Sequence, residues 1–146
     1  ITNNHIKKNT TGIYIEGCNR TLIENNTFES NGWAIKLMAN SEENNFNKND
    51  FISNSFDIST NSRQNFNSFN GNYWSSYNGY DLDKNNVGDV PFRPVKLYSI
   101  ITENQKPSLI LLHSLFIEIL NVAESVIPSL TPEALVDASP SMRRIN

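Results

Sequence analysis

The residues best suited to chemistry lie in one short run, Asp81-Leu82-Asp83-Lys84-Asn85-Asn86-Val87-Gly88-Asp89. Side-chain oxygens stand at its first, third, fifth and ninth positions, and Val87 offers a carbonyl at the seventh. Hard cations such as calcium take oxygen ligands at this spacing on a tightly turned backbone. Two residues depart from the EF-hand pattern. Asn86 occupies the sixth position in place of glycine, and Phe92 stands where the bidentate glutamate belongs. Asparagine tolerates the left-handed turn, but the missing glutamate weakens binding. The competing reading is a solvated turn whose asparagine and aspartate side chains bond their own backbone. Either a calcium loop of Asp81, Asp83, Asn85, Val87 and Asp89 or a self-bonded turn fits this stretch.

Aromatic residues surround the run: Tyr73, Trp74, Tyr77, Tyr80 and Phe92. They suit stacking on sugar rings, or covering the end of a fold. Soft metal ligands are scattered as Cys18, Met38, Met142, His5 and His113. Thiolate and thioether suit Cu(I), yet no C-x-x-C or M-x-x-M pair occurs, which leaves Met142 a weak candidate.

The elements that position these groups follow from a repeat. Ile1-Thr2-Asn3-Asn4-His5-Ile6 recurs as Ile23-Glu24-Asn25-Asn26-Thr27-Phe28 and as Phe46-Asn47-Lys48-Asn49-Asp50-Phe51, in steps of 22 and 23 residues. The same steps align Ile13, Ile35 and Ile58, and two asparagine columns, Asn4, Asn26, Asn49 and Asn9, Asn31, Asn54. Of 24 asparagines, 21 precede Val87; sharing a period with the apolar columns, they read as ordered turns rather than a disordered tract. Short alternations such as Gly12-Ile13-Tyr14-Ile15 predict strands. Stacked repeats of such strands predict a right-handed parallel β-helix of about three to four coils, truncated at its N-terminal side. The coils are expected over residues 1–70. A degraded fourth repeat from Phe66 leads into an aromatic and acidic cap over 71–94, because an open strand edge must be covered.

Aligned in this way, Asp57 lies over Ala34 and Gly12, Glu24 beside Asn47 and Thr2, and Asp50 beside Thr27 and His5. No column gathers the paired carboxylates of a glycoside-cleaving enzyme. A net charge of -3 without a basic block excludes the footprint of a nucleic-acid binder. One cysteine makes no internal disulfide, and no apolar run approaches the roughly 20 residues that span a bilayer.

The C-terminal extension, 95–146, changes style. Pro107 to Ile127 predicts a helix with a wide apolar circumference, interrupted by Ser114, Glu118, Asn121 and Ser125. Pro140 to Asn146 reads as a mobile tail. Too apolar for solvent, the helix suggests a partner surface that includes Leu115, Phe116, Ile119 and Leu120, with Met142 and Arg143 in the tail.

The order of asparagine-rich coils, "NYWSSYNGYDLD" with "VGDVPFRP", and "PSLILLHSLFIEILNVAESVIPSLTPEALVDASPSMRR" resembles the C-terminal part of the NosD family. That resemblance implies a non-enzymatic periplasmic accessory of nitrous oxide reductase maturation. It implies work beside an ABC-type permease and ATPase and a copper-carrying lipoprotein, with copper as cargo for the reductase and sulfur as a further candidate. Contact with the membrane would then be peripheral, through a partner. The alternative is a β-helix carbohydrate-active, carbohydrate-binding or adhesive surface protein.

Overall fold

The computed structural model describes residues 1–62, 66–96, 122 and 135–146. Among the described residues, ten strands wind through three parallel sheets. One sheet stacks β1 (His5–Lys7), β4 (Thr27–Glu29), β7 (Asp50–Ile52) and β10 (Tyr73–Trp74). A second stacks β2 (Thr11–Ile15), β5 (Trp33–Leu37) and β8 (Phe56–Thr60), and a third β3 (Leu22–Glu24), β6 (Asn45–Asn47) and β9 (Ser68–Asn70). Each strand pairs with its equivalent one repeat later, which is the arrangement of a parallel β-helix.

The register fixes what lies inside. Ile13, Ile35 and Ile58 align, as do Ile6, Phe28 and Phe51, and Ile23, Phe46 and Phe69. Phe28 and Phe51 stack at 5.1 Å between ring centroids, and Phe46 and Phe69 at 4.7 Å. Such pairs add about 0.5–1.5 kcal/mol each to the burial of their rings. Trp74 pairs with Phe51 and stacks on it at 4.2 Å, so Gly71–Trp74 completes a fourth rung. The coil thus runs past residue 70, where its end was expected, and Trp74 is a core residue first.

Corners follow one recipe. The asparagine columns are hydrogen-bonded ladders: Asn4, Asn26 and Asn49 each donate both the main-chain N–H and the side-chain amide to the Oδ1 of the next member, ending on Asn72. Asn9, Asn31 and Asn54 form a second ladder. A third runs Thr21, Asn44, Asn67 through main-chain N–H donors. The residue before nine of the ladder positions is left-handed: Asn3, Asn25, Lys48 and Gly71 in one column, Lys8, Ser30 and Ser53 in another, Arg20 and Glu43 in the third. Left-handed backbone costs an L-residue about 1–2 kcal/mol. The ladder that follows supplies the bonds that offset it.

The expected helix from Pro107 to Ile127, with Leu115, Phe116, Ile119 and Leu120, lies outside the described residues apart from Val122.

Candidate functional site

The far end of the stack is built by the chain beyond Trp74. Tyr77 anchors it: its hydroxyl donates to Val90 O at 2.7 Å, and its ring meets Phe92 edge-on at 5.7 Å. A Cβ at Gly79 or Gly88 would collide with that hydroxyl, so both positions need glycine. Phe92 in turn packs on Trp74 at 5.2 Å.

Between these anchors the acidic loop closes on itself. Asp81 accepts the main-chain N–H of Asn85 at 3.1 Å and of Asn86 at 2.8 Å through separate oxygens. Asp83 accepts from the N–H and side-chain amide of Asn85, Asn85 from Val87 N–H, and Asp89 from Leu82 N–H. Lys84 and Asn86 are the left-handed residues that allow this curl. Desolvation raises the Asp81 carboxyl, but the main-chain N–H donors of Asn86, Asn85 and Lys84 help to hold the group below its ordinary range. The side-chain oxygens of Asp81, Asp83, Asn85 and Asp89 are therefore gathered in one loop, engaged by its own amides; Val87 has its N–H in the same network and pairs with Ser141.

Residues 135–146 cross this end as a strap. Asp137 exchanges both main-chain bonds with Phe92 at 2.9 Å. Ser141 donates to Asn72 O at 2.8 Å, Met142 to Asn86 O at 3.0 Å, and Gly88 to Pro140 O at 2.8 Å. Ile145 and Asn146 donate their N–H groups to the two oxygens of buried Asp50, at 2.9 and 3.0 Å. The stretch from Pro140 to Asn146, expected as a mobile tail, is thus tied down by its backbone. Met142 and Arg143 lie on this strap next to the acidic loop, so two groups singled out separately in the sequence share one face.

Asp137 itself had no signal in the repeat pattern. It is fully buried, and its carboxylate accepts Asn72 N–H at 3.0 Å, the Asn72 amide at 2.9 Å, Trp74 Nε1 at 3.1 Å, Gly71 N–H at 3.1 Å and Ser139 N–H at 3.2 Å. Phe69 pairs in parallel with Asp137, and Tyr73 with Ser141, both 68 residues on. At that offset the successor of Asn72 in the ladder is Pro140, which has no N–H to donate. Asp137 reaches across to supply the acceptor that an asparagine would have supplied. The clue available in the sequence was the "PSMR" segment, which lay outside the repeat.

Other candidate chemistry is spread out. Among the described residues no three His, Cys, Asp or Glu side chains converge as a metal site, and no helix is long and apolar enough to cross a membrane. Asp57 is a further buried carboxylate. Burial pushes it above its ordinary range, against Asn54, Lys96 and Ser76, which favour the charged form. Cys18 is exposed at a corner. Trp74 is 1% exposed and offers no ring to a sugar; Tyr80, at 56%, is the open aromatic of the group.

Comparison with known proteins places the chain in a family. The family model "Periplasmic copper-binding protein (NosD)" matches residues 1–79, which span all four rungs. A protein of Stutzerimonas stutzeri named "Probable ABC transporter binding protein NosD" is 28% identical over 124 residues, and one of the same name from Pseudomonas aeruginosa is 33% identical over 124 residues. Each match covers 83% of this chain but only 28% and 29% of those proteins, so the chain spans under a third of the relatives' length. With rungs, ladders and the stretch through Gly79 inside the matched region, this chain belongs to the NosD family of periplasmic copper-binding proteins.

Proposed function

We propose that the chain serves within a longer periplasmic protein as a non-enzymatic accessory that helps to deliver copper to nitrous oxide reductase, in concert with an ABC-type transporter. Family membership carries this reading, since the relatives are named as ABC transporter binding proteins. The closed end of the stack supports it. The chain leaves the described structure after Lys96, beside Val95 paired on Ile58, and returns at Leu135, beside Asp137 paired on Phe69. Both ends of the intervening segment are therefore fixed to the last rungs. The proposed permease contact uses Leu115, Phe116, Ile119 and Leu120 of the apolar stretch together with Met142 and Arg143 of the strap. The cytoplasmic ATPase acts through the permease, and the copper lipoprotein brings the metal. Met142 is the soft side chain available for it on this face.

Capture tests the proposal. Leu115→Lys with Ile119→Glu should abolish capture by the permease while the thermal melt of the coils stays unchanged. Retained capture with an unchanged melt would remove the docking role. A collapsed melt would show that these residues belong to the core. Met142→Leu should weaken Cu(I) uptake measured by chelator competition; equal uptake would leave Met142 a packing residue.

A further inference from the structure

We infer that Asn78-Gly79 is a self-modification site, where the chain closes a succinimide and ages to isoaspartate, unlatching the acidic loop from the closed end of the stack. The chemistry needs only these two residues and water. The main-chain nitrogen of the glycine gives up its proton and attacks the asparagine Cγ. A nitrogen–carbon bond forms, and the side-chain nitrogen leaves as ammonia. Water then opens the ring at either carbonyl. One opening leaves aspartate; the other leaves isoaspartate, whose main chain runs through Cβ and Cγ and is one carbon longer. Glycine favours the attack because no Cβ obstructs the approach.

Three steps in the sequence have this composition: Asn31-Gly32, Asn70-Gly71 and Asn78-Gly79. The fold holds the first two. Asn31 is 2% exposed, its Oδ1 accepts Asn9 N–H, and its amide donates to Ile6 O and Asn54 Oδ1. Gly32 N–H donates to Asn9 O at 2.9 Å. Asn70 is exposed, but the nitrogen that would attack it is engaged: Gly71 N–H donates to the Asp137 carboxylate at 3.1 Å. Asn78 is exposed in an irregular segment. Among the described residues, neither its side-chain amide nor Gly79 N–H has a hydrogen-bond partner.

Its place makes the product consequential. On one side Tyr77 donates its hydroxyl to Val90 O at 2.7 Å, and on the other Tyr80 O accepts Asp89 N–H at 2.8 Å. Gly79 packs so closely against the Tyr77 ring and hydroxyl that even a Cβ collides with them. Isoaspartate inserts a carbon between these two anchors, where there is no slack. The acidic loop then loses its seat, and with it the bonds from Gly88 to Pro140 O and from Met142 to Asn86 O. The rungs keep their own ladders.

Incubation of the folded protein at mildly alkaline pH, followed by peptide mapping with electron-transfer fragmentation, tests the site. Asn78 should convert about tenfold or more faster than Asn70, because the charge-assisted bond on Gly71 N–H must open before attack there. Asn31 should stay intact while the coils are folded. In the aged protein, amide exchange should quicken at Gly88, Asp89 and Met142 and stay slow at Phe28 and Ile35. Asn78→Gln, whose longer side chain closes the ring far more slowly, should keep the exchange pattern of fresh protein through the same incubation. Conversion of Asn70 or Asn31 as fast as Asn78 overturns the inference, and so does an Asn78 that survives in folded protein yet converts in urea. Unchanged exchange after isoaspartate has formed at residue 78 refutes the unlatching, as does equal loosening in Asn78→Gln.

Discussion

Replacing Asn49 by alanine should be among the most damaging single changes in the coils, although it removes only a small polar side chain. Asn49 is fully buried. Its Oδ1 accepts Asn26 N–H at 3.1 Å and the Asn26 amide at 3.0 Å, and its own amide donates to Ile23 O at 2.9 Å and Asn72 Oδ1 at 3.0 Å. After truncation the Asn26 side chain keeps Glu24 O and Ile1 O, and Asn72 Oδ1 keeps the main-chain N–H of residue 49. Asn26 N–H has no replacement, and Ile23 O loses one donor. At about 1–3 kcal/mol for each buried group left short, the cost is about 2–6 kcal/mol. That is a large share of the roughly 5–15 kcal/mol that holds a domain together. Asn9→Ala supplies the control, because Asn9 is exposed and begins its ladder, and should cost under about 1 kcal/mol. Urea unfolding followed by far-UV circular dichroism measures both. Equal midpoints for the two variants would refute the ladder as a source of stability.

The remaining expectations concern corners, charge and the loop. Lys48→Gly relieves a left-handed residue at φ 50°; about 1–2 kcal/mol of relief less about 0.5–1 kcal/mol of added unfolded-state freedom should stabilise by about 0.5–1 kcal/mol, and a lower urea midpoint would contradict the strain argument. Asp57 has a folded-state affinity for protons above its unfolded one, so it lowers stability as pH rises above the unfolded value toward and through the folded one. Asp57→Asn should remove that fall, and parallel stability-pH curves for parent and variant would show that the carboxyl is not penalised. Because the oxygens of Asp81, Asp83, Asn85 and Asp89 are engaged by the loop's own donors, melting in millimolar calcium and in chelator should coincide. A rise in calcium that Asp83→Ala abolishes would instead assign these residues to a metal.

Much of the stack was legible because its bonds repeat at the spacing of the sequence. The columns through Ile35, Phe28, Asn26 and Asn31 each combine a fixed step with a residue type that only one environment satisfies. The third ladder escaped because Thr21 stands where its first asparagine would be, and threonine uses only its main-chain N–H there. Trp74 read as a cap because tryptophan replaces phenylalanine at the step from Phe51; size hid the column. The strap was harder still. It is held through main-chain N–H and C=O groups, which every residue possesses, so its sequence of Pro140, Ser141 and two arginines looked like an unattached end. Asp137 joins the ladder at an offset of 68 rather than 23 residues, and a search by period passes over it.

The position of the closed end bears on how such a molecule changes length. A rung touches only the rungs above and below it, while the acidic loop, Tyr77 and Asp137 together occupy the final one. Duplicating the 23-residue unit from Lys48 to Asn70, immediately ahead of Gly71, would preserve every contact of the closing machinery. Adding the same unit after Asn146 would meet a proline and a carboxylate. Each internal copy would move the closed face outward by about 4.8 Å, one strand spacing. The coils thereby act as a ruler, setting in discrete increments how far that face stands from whatever holds the other end.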